Sequence, residues 1–428
     1  MAGSVVSRIR YFCEDVDFAV DPVPDVHARM AALREAGHRV VPVRYLNDTA
    51  WVILRHDEVM AAYCNEEGLP AAAAYLRHSA PAQGRTLLCM TGEEHRINRL
   101  LVSGAFRPSS VRRHIDALLM PLTNAMIDEL ADHRSVDLVD RYTRRYPFRV
   151  ITRLLGIAVT DEPQLLKWLE GLFAFPWDPD TALAARKAVS EYLRPIVDAR
   201  RAAPRDDLIS LLLTAEVEGH QLSEEEIFSF VRLIFPAGSD TTYLAMGSLL
   251  WAVLRDRELY RTLCERPELR PDAVEEGLRL YSAICLQPRY TEHEVTIAGI
   301  TIPAKSILLF GNAPANRDPS VFEAPDEFRL QRPQRDSLTF GAGPHFCLGS
   351  HLARAELNVS LGLLLDRLPG LRLASTDAPG PTGAVLRGVR HLPVMFDAVL
   401  PAQAHTSGSQ EGAHADEYRY RPQSDRGL

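Results

Sequence analysis

The chain has 428 residues, 46% of them hydrophobic, enough apolar material for a large core and, on length alone, for two or three domains. A formal net charge of −8, with no Lys/Arg block interleaved with aromatics, argues against nucleic acid as the main partner. No apolar run approaches the ~18 residues that cross a bilayer, Met1–Val20 carries Arg8, Arg10, Glu14, Asp15 and Asp17, and the six cysteines form no C-x-x-C pair, so an untargeted cytoplasmic protein without membrane attachment is expected.

Strand-like segments at 39–43 and 50–54 read as a hairpin around Asn47-Asp48. Residues 65–90, rich in Ala and Pro, look irregular. From Thr91 to Tyr281 the periodicity is almost wholly helical, broken at Pro108, Pro163, Pro176, Pro179 and Pro204, and 173–181 is a second irregular stretch. Loops of this length either cover a site or are plain surface excursions. A capping box, Ser223-x-x-Glu226, opens a helix expected to reach about Leu254. Inside it lies Phe235-Pro236-Ala237-Gly238-Ser239-Asp240-Thr241-Thr242, where Pro and Gly together cost roughly 3–4 kcal/mol. Such a break either opens the helix for a small ligand, with Asp240 and Thr241 at the gap, or is a kink whose Thr241 hydroxyl bonds its own backbone. Glu276 and Arg279 share one helix face among Leu278, Leu280 and Ile284, which suggests a buried pair. Further strand-like segments lie at 295–302 and 306–310. The whole reads as mainly α with a small β part, one domain over 1–400, and a polar tail over 401–428 that composition marks as disordered.

The most informative stretch is Phe340-Gly341-Ala342-Gly343-Pro344-His345-Phe346-Cys347-Leu348-Gly349. Two glycines and Pro344 forbid regular helix before Cys347, whereas Leu348, Leu352, Ala355, Val359 and Leu363 then recur at helical steps. Cys347 therefore stands at the mouth of a long helix, where N–H groups and the helix dipole favour a thiolate able to ligate a metal. The alternative is a small buried cysteine in a Gly-rich turn. Phe340 can shield the sulfur from water, Gly341 and Gly343 let the loop wrap closely around it, and Gly349 lets a flat ring system lie against the backbone.

The order F-G-x-G-x-H-x-C-x-G resembles the haem-binding loop of the cytochrome P450 family, with every fixed position matched. Ala237-Gly238-x-Asp240-Thr241 is similar to that family's central-helix motif, and Glu276-x-x-Arg279 to its E-x-x-R. The resemblance implies the family's triangular-prism fold, with haem b held non-covalently between the kinked central helix and the helix after Cys347. It implies Cys347 as iron ligand, Thr241 and Asp240 as the pair that manages proton delivery, and His95, Arg99, Arg289 and His345 as partners of the propionates. Phe340, Gly341, Gly349, Ala237 and Gly238 would contact the cofactor. The E-x-x-R pair should engage a further arginine, usually in P-x-R-F. Here Pro325-Asp326-Glu327-Phe328 puts Glu327 in that place, leaving Arg329 or, preferentially, Arg332.

The activity implied is insertion of one oxygen atom from O₂ into a hydrophobic small molecule such as a terpenoid, steroid or polyketide. Electrons would come from NAD(P)H through a reductase and a [2Fe–2S] ferredoxin, with Arg107, Arg112, Arg113 and Arg354 as candidate donor contacts. The expected pocket lining is Leu87, Leu88, Phe173, Trp177, Ile234, Ile284, Leu286 and Leu386. An H₂O₂-using peroxygenase and a haem-bound sensor or carrier are the rival readings.

Overall fold

The computed structural model describes residues 15–333 and 337–402, so Cys13 and nearly all of the expected 401–428 tail lie outside the described residues. Helix α1 (Val26–Glu35) leads into strands β1 (Val40–Tyr45) and β2 (Asp48–Ile53). These pair antiparallel across a two-residue turn in which Leu46 and Asn47 both have positive φ, 52° and 60°. That conformation matches the strand twist. Strand β3 (Leu286–Tyr290) and β4 (Ile307–Gly311) complete a four-stranded sheet in the order β1-β2-β4-β3. Pro288 is tolerated in β3 because it is an edge strand.

Helices α2 (His56–Cys64), α3 (Gly92–Ser103), α4 (Arg145–Leu154), α5 (Glu162–Gly171), α6 (Pro179–Ala202), α7 (Glu224–Arg255), α8 (Arg270–Leu280) and α9 (Ser350–Arg367) form the bulk of the molecule. Prolines mark their starts as expected: Pro163 and Pro179 occupy first-turn positions, where the missing N–H has no helical partner to lose. The capping box at α7 is present in full, Ser223 Oγ accepting from Glu226 N at 3.3 Å and Glu226 Oε2 from Ser223 N at 2.8 Å. The central helix is continuous through Pro236 as one 32-residue element, and its buried residues run from Ile227 to Leu254 within the main core.

Three expectations need correction. Residues 65–90 are not irregular: Ala71–His78 and Ala80–Gln83 are helical and Leu87–Cys89 is a 3₁₀ turn. Alanine has the highest helix propensity, and Pro81 sits in a first turn, so these prolines punctuate helices instead of preventing them. The segment 295–302 is a hairpin of two three-residue strands reversing at Ala298-Gly299, both at positive φ. Within the helical stretch, Ser135–Asp137 is a strand too short for periodicity to show, paired with Pro393–Met395.

Candidate active site

The segment around Cys347 is shaped from two sides. Gly341 and Gly343 have φ of 71° and 69°, and a Cβ on Gly343 would stand 2.6 Å from the Tyr63 carbonyl oxygen. Both the conformation and the close approach require glycine there. Tyr63 itself is fixed by its hydroxyl, 2.8 Å from Asn312 Oδ1. The loop folds back on itself through Cys347 N donating to Phe340 O at 3.0 Å, after which α9 begins at Ser350. Burial pushes the Cys347 thiol up, opposed by the Gly349 N–H and by the Arg99 and Arg354 charges. This is the donor set a thiolate needs.

Four cationic or titratable side chains surround this loop. The His95 and His345 rings lie 4.1 Å apart between centroids, and burial, with the His345 and Arg99 charges adding to it, brings His95 down to about 4. Arg99 Nη2 donates to Phe346 O at 2.6 Å. The buried guanidinium of Arg289 lies over the rings of Phe310 and Tyr63, 5.0 and 5.5 Å from their centroids. Among the described residues neither Arg99 nor Arg289 is paired with a carboxylate, and His95 Nε2 and His345 Nδ1 are buried without hydrogen-bond partners. His345 Nε2 lies 3.3 Å from Glu66 Oε1.

On α7, Ala237 is exposed although most of this helix is buried, and Thr241 lies one turn further along the same face. Thr241 Oγ1 donates to Ala237 O at 2.7 Å. The hydroxyl proton is thus committed to the helix, and the oxygen retains lone pairs that can accept a hydrogen bond. A Cβ on Gly238 would approach Ile151 Cδ1 to 2.9 Å, so this glycine also lets α4 pack closely on α7. Burial raises Asp240 to about 6, with Arg144 and Arg390 opposing it, and Arg390 Nη1 is held by the Tyr243 hydroxyl at 2.6 Å.

Glu276 and Arg279 are 4% and 3% exposed, which settles a buried pair over a solvated one. Two hydrogen bonds of 2.8 and 2.7 Å join them, and Arg332 Nε reaches both Glu276 oxygens at 3.0 and 3.2 Å. Arg329 contributes its backbone N–H to the same carboxylate while its side chain turns outward to Glu327. Burial pulls Glu276 up, but the contacts from Arg279, the Arg329 N–H and Arg332 outweigh it, and the carboxyl lies below the usual range.

Sequence reasoning missed the link between this network and the Cys347 loop. Arg279 Nη1 donates to Asn316 O at 2.7 Å. The Asn316 side chain accepts from Leu338 N at 2.7 Å and donates to Ser282 Oγ and Thr339 Oγ1. A lone asparagine has no periodicity to announce it; only its place in the fold does. Arg354, expected as a surface donor contact, is 5% exposed and engages Glu275 and the Phe340 ring, whereas Arg107, Arg112 and Arg113 are exposed.

The expected lining divides. Ile284 and Leu386 are half-buried and joined as a β-bridge, and Leu88 and Phe173 are half-buried. Leu87 and Ile234 belong to the main core, Leu87 beside Met90, Val102 and Phe230. Leu286 does not line a pocket: fully buried in β3, it packs with Val41, Val52 and Leu309, because alternation along the strand turns it into the sheet's own core. Trp177 is 61% exposed, outside any enclosed wall, since the turn before α6 carries it outward.

The sequence model of the family described as Cytochrome P450 matches residues 24–266 and 268–370. Mycinamicin IV hydroxylase/epoxidase of Micromonospora griseorubida is 33% identical over 395 residues, 88% of this chain and 98% of that protein. 6-Deoxyerythronolide B hydroxylase of Saccharopolyspora erythraea is 31% identical over 87% of this chain and 96% of its own length. Cytochrome P450 CYP109Q5 from Chondromyces apiculatus superposes with a TM-score of 0.82 at 27% identity, covering 90% of this chain and 99% of that one. The chain belongs to the cytochrome P450 family. It is a P450 monooxygenase, and the family implies haem ligated by a cysteine thiolate. The residues present fit that group: buried orphan donors on His95 and His345, two guanidiniums without carboxylates, and a thiol facing the Gly349 N–H. No described helix is long and apolar enough to cross a membrane.

Proposed function

We propose that this chain uses haem b, with Cys347 as the single protein ligand, to insert one oxygen atom from O₂ into a hydrophobic natural product of the polyketide, terpenoid or steroid type. The observation that supports it most is Cys347 at the head of α9, enclosed by Gly341, Gly343, Phe340 and the orphaned histidines. A thiolate-ligated haem supplies oxygen activation by donating electron density that favours O–O cleavage. Around it, His95, Arg99, Arg289 and His345 orient the group by charge-assisted hydrogen bonds to its two carboxylates. Phe340, with the Arg354 guanidinium stacked 4.4 Å from its centroid, keeps water from the sulfur. Asp240 takes a proton from the solvent side, where Arg144 and Arg390 stand, and passes it inward. Thr241 Oγ1, its own proton held by Ala237 O, accepts a hydrogen bond on the open face of α7 and positions the proton donor there. Ala237, Leu88, Phe173, Ile284 and Leu386 form the apolar side that holds substrate.

Mycinamicin IV and 6-deoxyerythronolide B, in the names of the two relatives, favour a macrolide-sized substrate. Electrons enter from a [2Fe–2S] ferredoxin and its NAD(P)H-dependent reductase, a small acidic protein suiting the exposed Arg107, Arg112 and Arg113. The test is a stoichiometric assay of NAD(P)H, O₂ and product with surrogate redox partners, alongside the reduced carbonyl spectrum of wild type and Cys347→Ala. Substrate-dependent consumption and a thiolate-type band lost in the variant are expected. Product formed only from added H₂O₂ indicates a peroxygenase, and ligand binding without turnover indicates a carrier.

A further inference from the structure

Next to the bridge between Ile284 and Leu386, three arginines are buried together. Arg34, Arg317 and Arg387 are 6%, 8% and 4% exposed. Their terminal nitrogens are spent mainly on backbone carbonyls: Arg34 on Pro314 O at 2.8 Å, Arg317 on Leu280 O at 2.9 Å, and Arg387 on Val23, Gly383 and Pro24 O at 3.1, 3.0 and 2.9 Å. Carbonyls satisfy N–H groups but carry no net charge, and a buried cation needs a counter-charge as well as hydrogen bonds. Among the described residues only Arg317 of the three touches a carboxylate, that of Asp326, which is itself 63% exposed. Asp318 is committed to Arg55 and backbone donors, and Asp25 to Arg29.

Three donors are left over. Among the described residues, Arg317 Nε, Arg387 Nε and His27 Nε2 are buried without hydrogen-bond partners. Shared anchors draw them together: Arg387 grips Val23 and Pro24 just before the helix that carries His27, its backbone N–H bonds Ala283 O, and Arg317 bonds Leu280 O in the same short segment. The charges of Arg317, Arg387 and Arg34 all bear on the one His27 imidazole and hold it, with burial, well below the usual range.

We propose that His27, Arg317 and Arg387 bind a small monatomic anion of the halide class, chloride in ordinary media. Water would complete the hydrogen bonds but leave the charge uncompensated, whereas phosphate would bring four oxygens to three single N–H donors. A halide answers both requirements, and Arg387, adjacent to Leu386, ties it to the wall of the substrate side.

The test is thermal unfolding of the holoenzyme in sodium chloride against sodium gluconate at constant ionic strength, the gluconate ion being too large for an enclosed site. A melting temperature that rises with chloride and saturates, and is flat in gluconate, is expected. Crystals soaked in bromide should show anomalous density bounded by His27, Arg317 and Arg387. His27→Leu, which keeps every arginine, should raise the chloride concentration for half the effect about tenfold, one charge-assisted hydrogen bond's worth, and Arg317→Met should abolish the effect. Equal melting temperatures in both salts, or no bromide density, overturn the proposal. Bromide density with no difference in melting temperature means an adventitious ion only, and overturns it too. If either variant fails to fold, the two wild-type measurements still decide.

Discussion

Asp240 is held in an environment that opposes its charge. Burial raises its carboxyl from an ordinary 3.8 to about 6, although Arg144 and Arg390 pull the other way. The folded state thus binds this proton more tightly than the unfolded one, so the carboxyl contributes no penalty below about pH 4 and costs stability as the pH rises through 6. Two units correspond to roughly 2–3 kcal/mol. Asp240→Asn should therefore be more stable than wild type at pH 8 by about 2 kcal/mol, the gain shrinking towards pH 5, as followed by denaturant unfolding across that range. If Asp240 relays protons as proposed, the same substitution should also slow turnover. Thr241 is different. Its hydroxyl is fixed to Ala237 O, so Thr241→Ala leaves the helix intact but removes the acceptor. Product per NAD(P)H should fall and H₂O₂ rise, while the reduced carbonyl spectrum stays unchanged; Thr241→Ser should restore coupling.

At the level of elements, a buried polar chain joins α8 to the segment leading into the Cys347 loop. It runs from Arg332 through Glu276 and Arg279 to the Asn316 carbonyl, and the Asn316 side chain hands it to Leu338 and Thr339. Glu276→Ala strands two guanidiniums and should cost about 3–5 kcal/mol, with haem content falling in parallel. Asn316→Ala is milder, since it removes the Asn316 side-chain bonds to Leu338 and Thr339 without leaving a charge unpaired, while Thr339 Oγ1 still donates to Leu278 O of α8. A loss of about 1–3 kcal/mol is expected from calorimetry, with faster haem release to an apoprotein acceptor as the readout specific to the loop. Half of this chain was legible beforehand. The E-x-x-R spacing named Glu276 and Arg279, and Glu327 standing in the usual arginine's place put Arg332 forward, with Arg329 as the alternative. Asn316, Ser282 and Thr339 were not legible, because hydrogen bonds between residues distant in sequence leave no period to read. The same contrast holds among the strands. Alternation and the Asn47-Asp48 turn revealed β1 and β2, while Gln287-Pro288-Arg289 hid β3, whose strand character comes from pairing with β4.

For the molecule as a whole, the site is drawn from distant parts of the chain. His95 and Arg99 come from α3, Thr241 from α7, Arg289 from the sheet, and His345 and Cys347 from the loop just before α9. Main-core packing surrounds α7, whereas two further apolar clusters hold the sheet, one with Leu286 and Leu309 and the other with Phe310, Tyr63 and, from the segment before Cys347, Leu338 and Ala342. This explains why Leu286 and Trp177 were misplaced from sequence: being apolar and near the site in the chain does not decide which core, or which side of a turn, a side chain joins. The Tyr63 carbonyl against Gly343 has a further consequence for how the protein is made. Tyr63 is synthesised long before the loop that packs against it, so the cofactor cannot be captured until the Cys347 loop has left the ribosome. Haem shortage in a producing cell should then yield full-length chain lacking only its cofactor, which haem added after lysis can convert to holoenzyme.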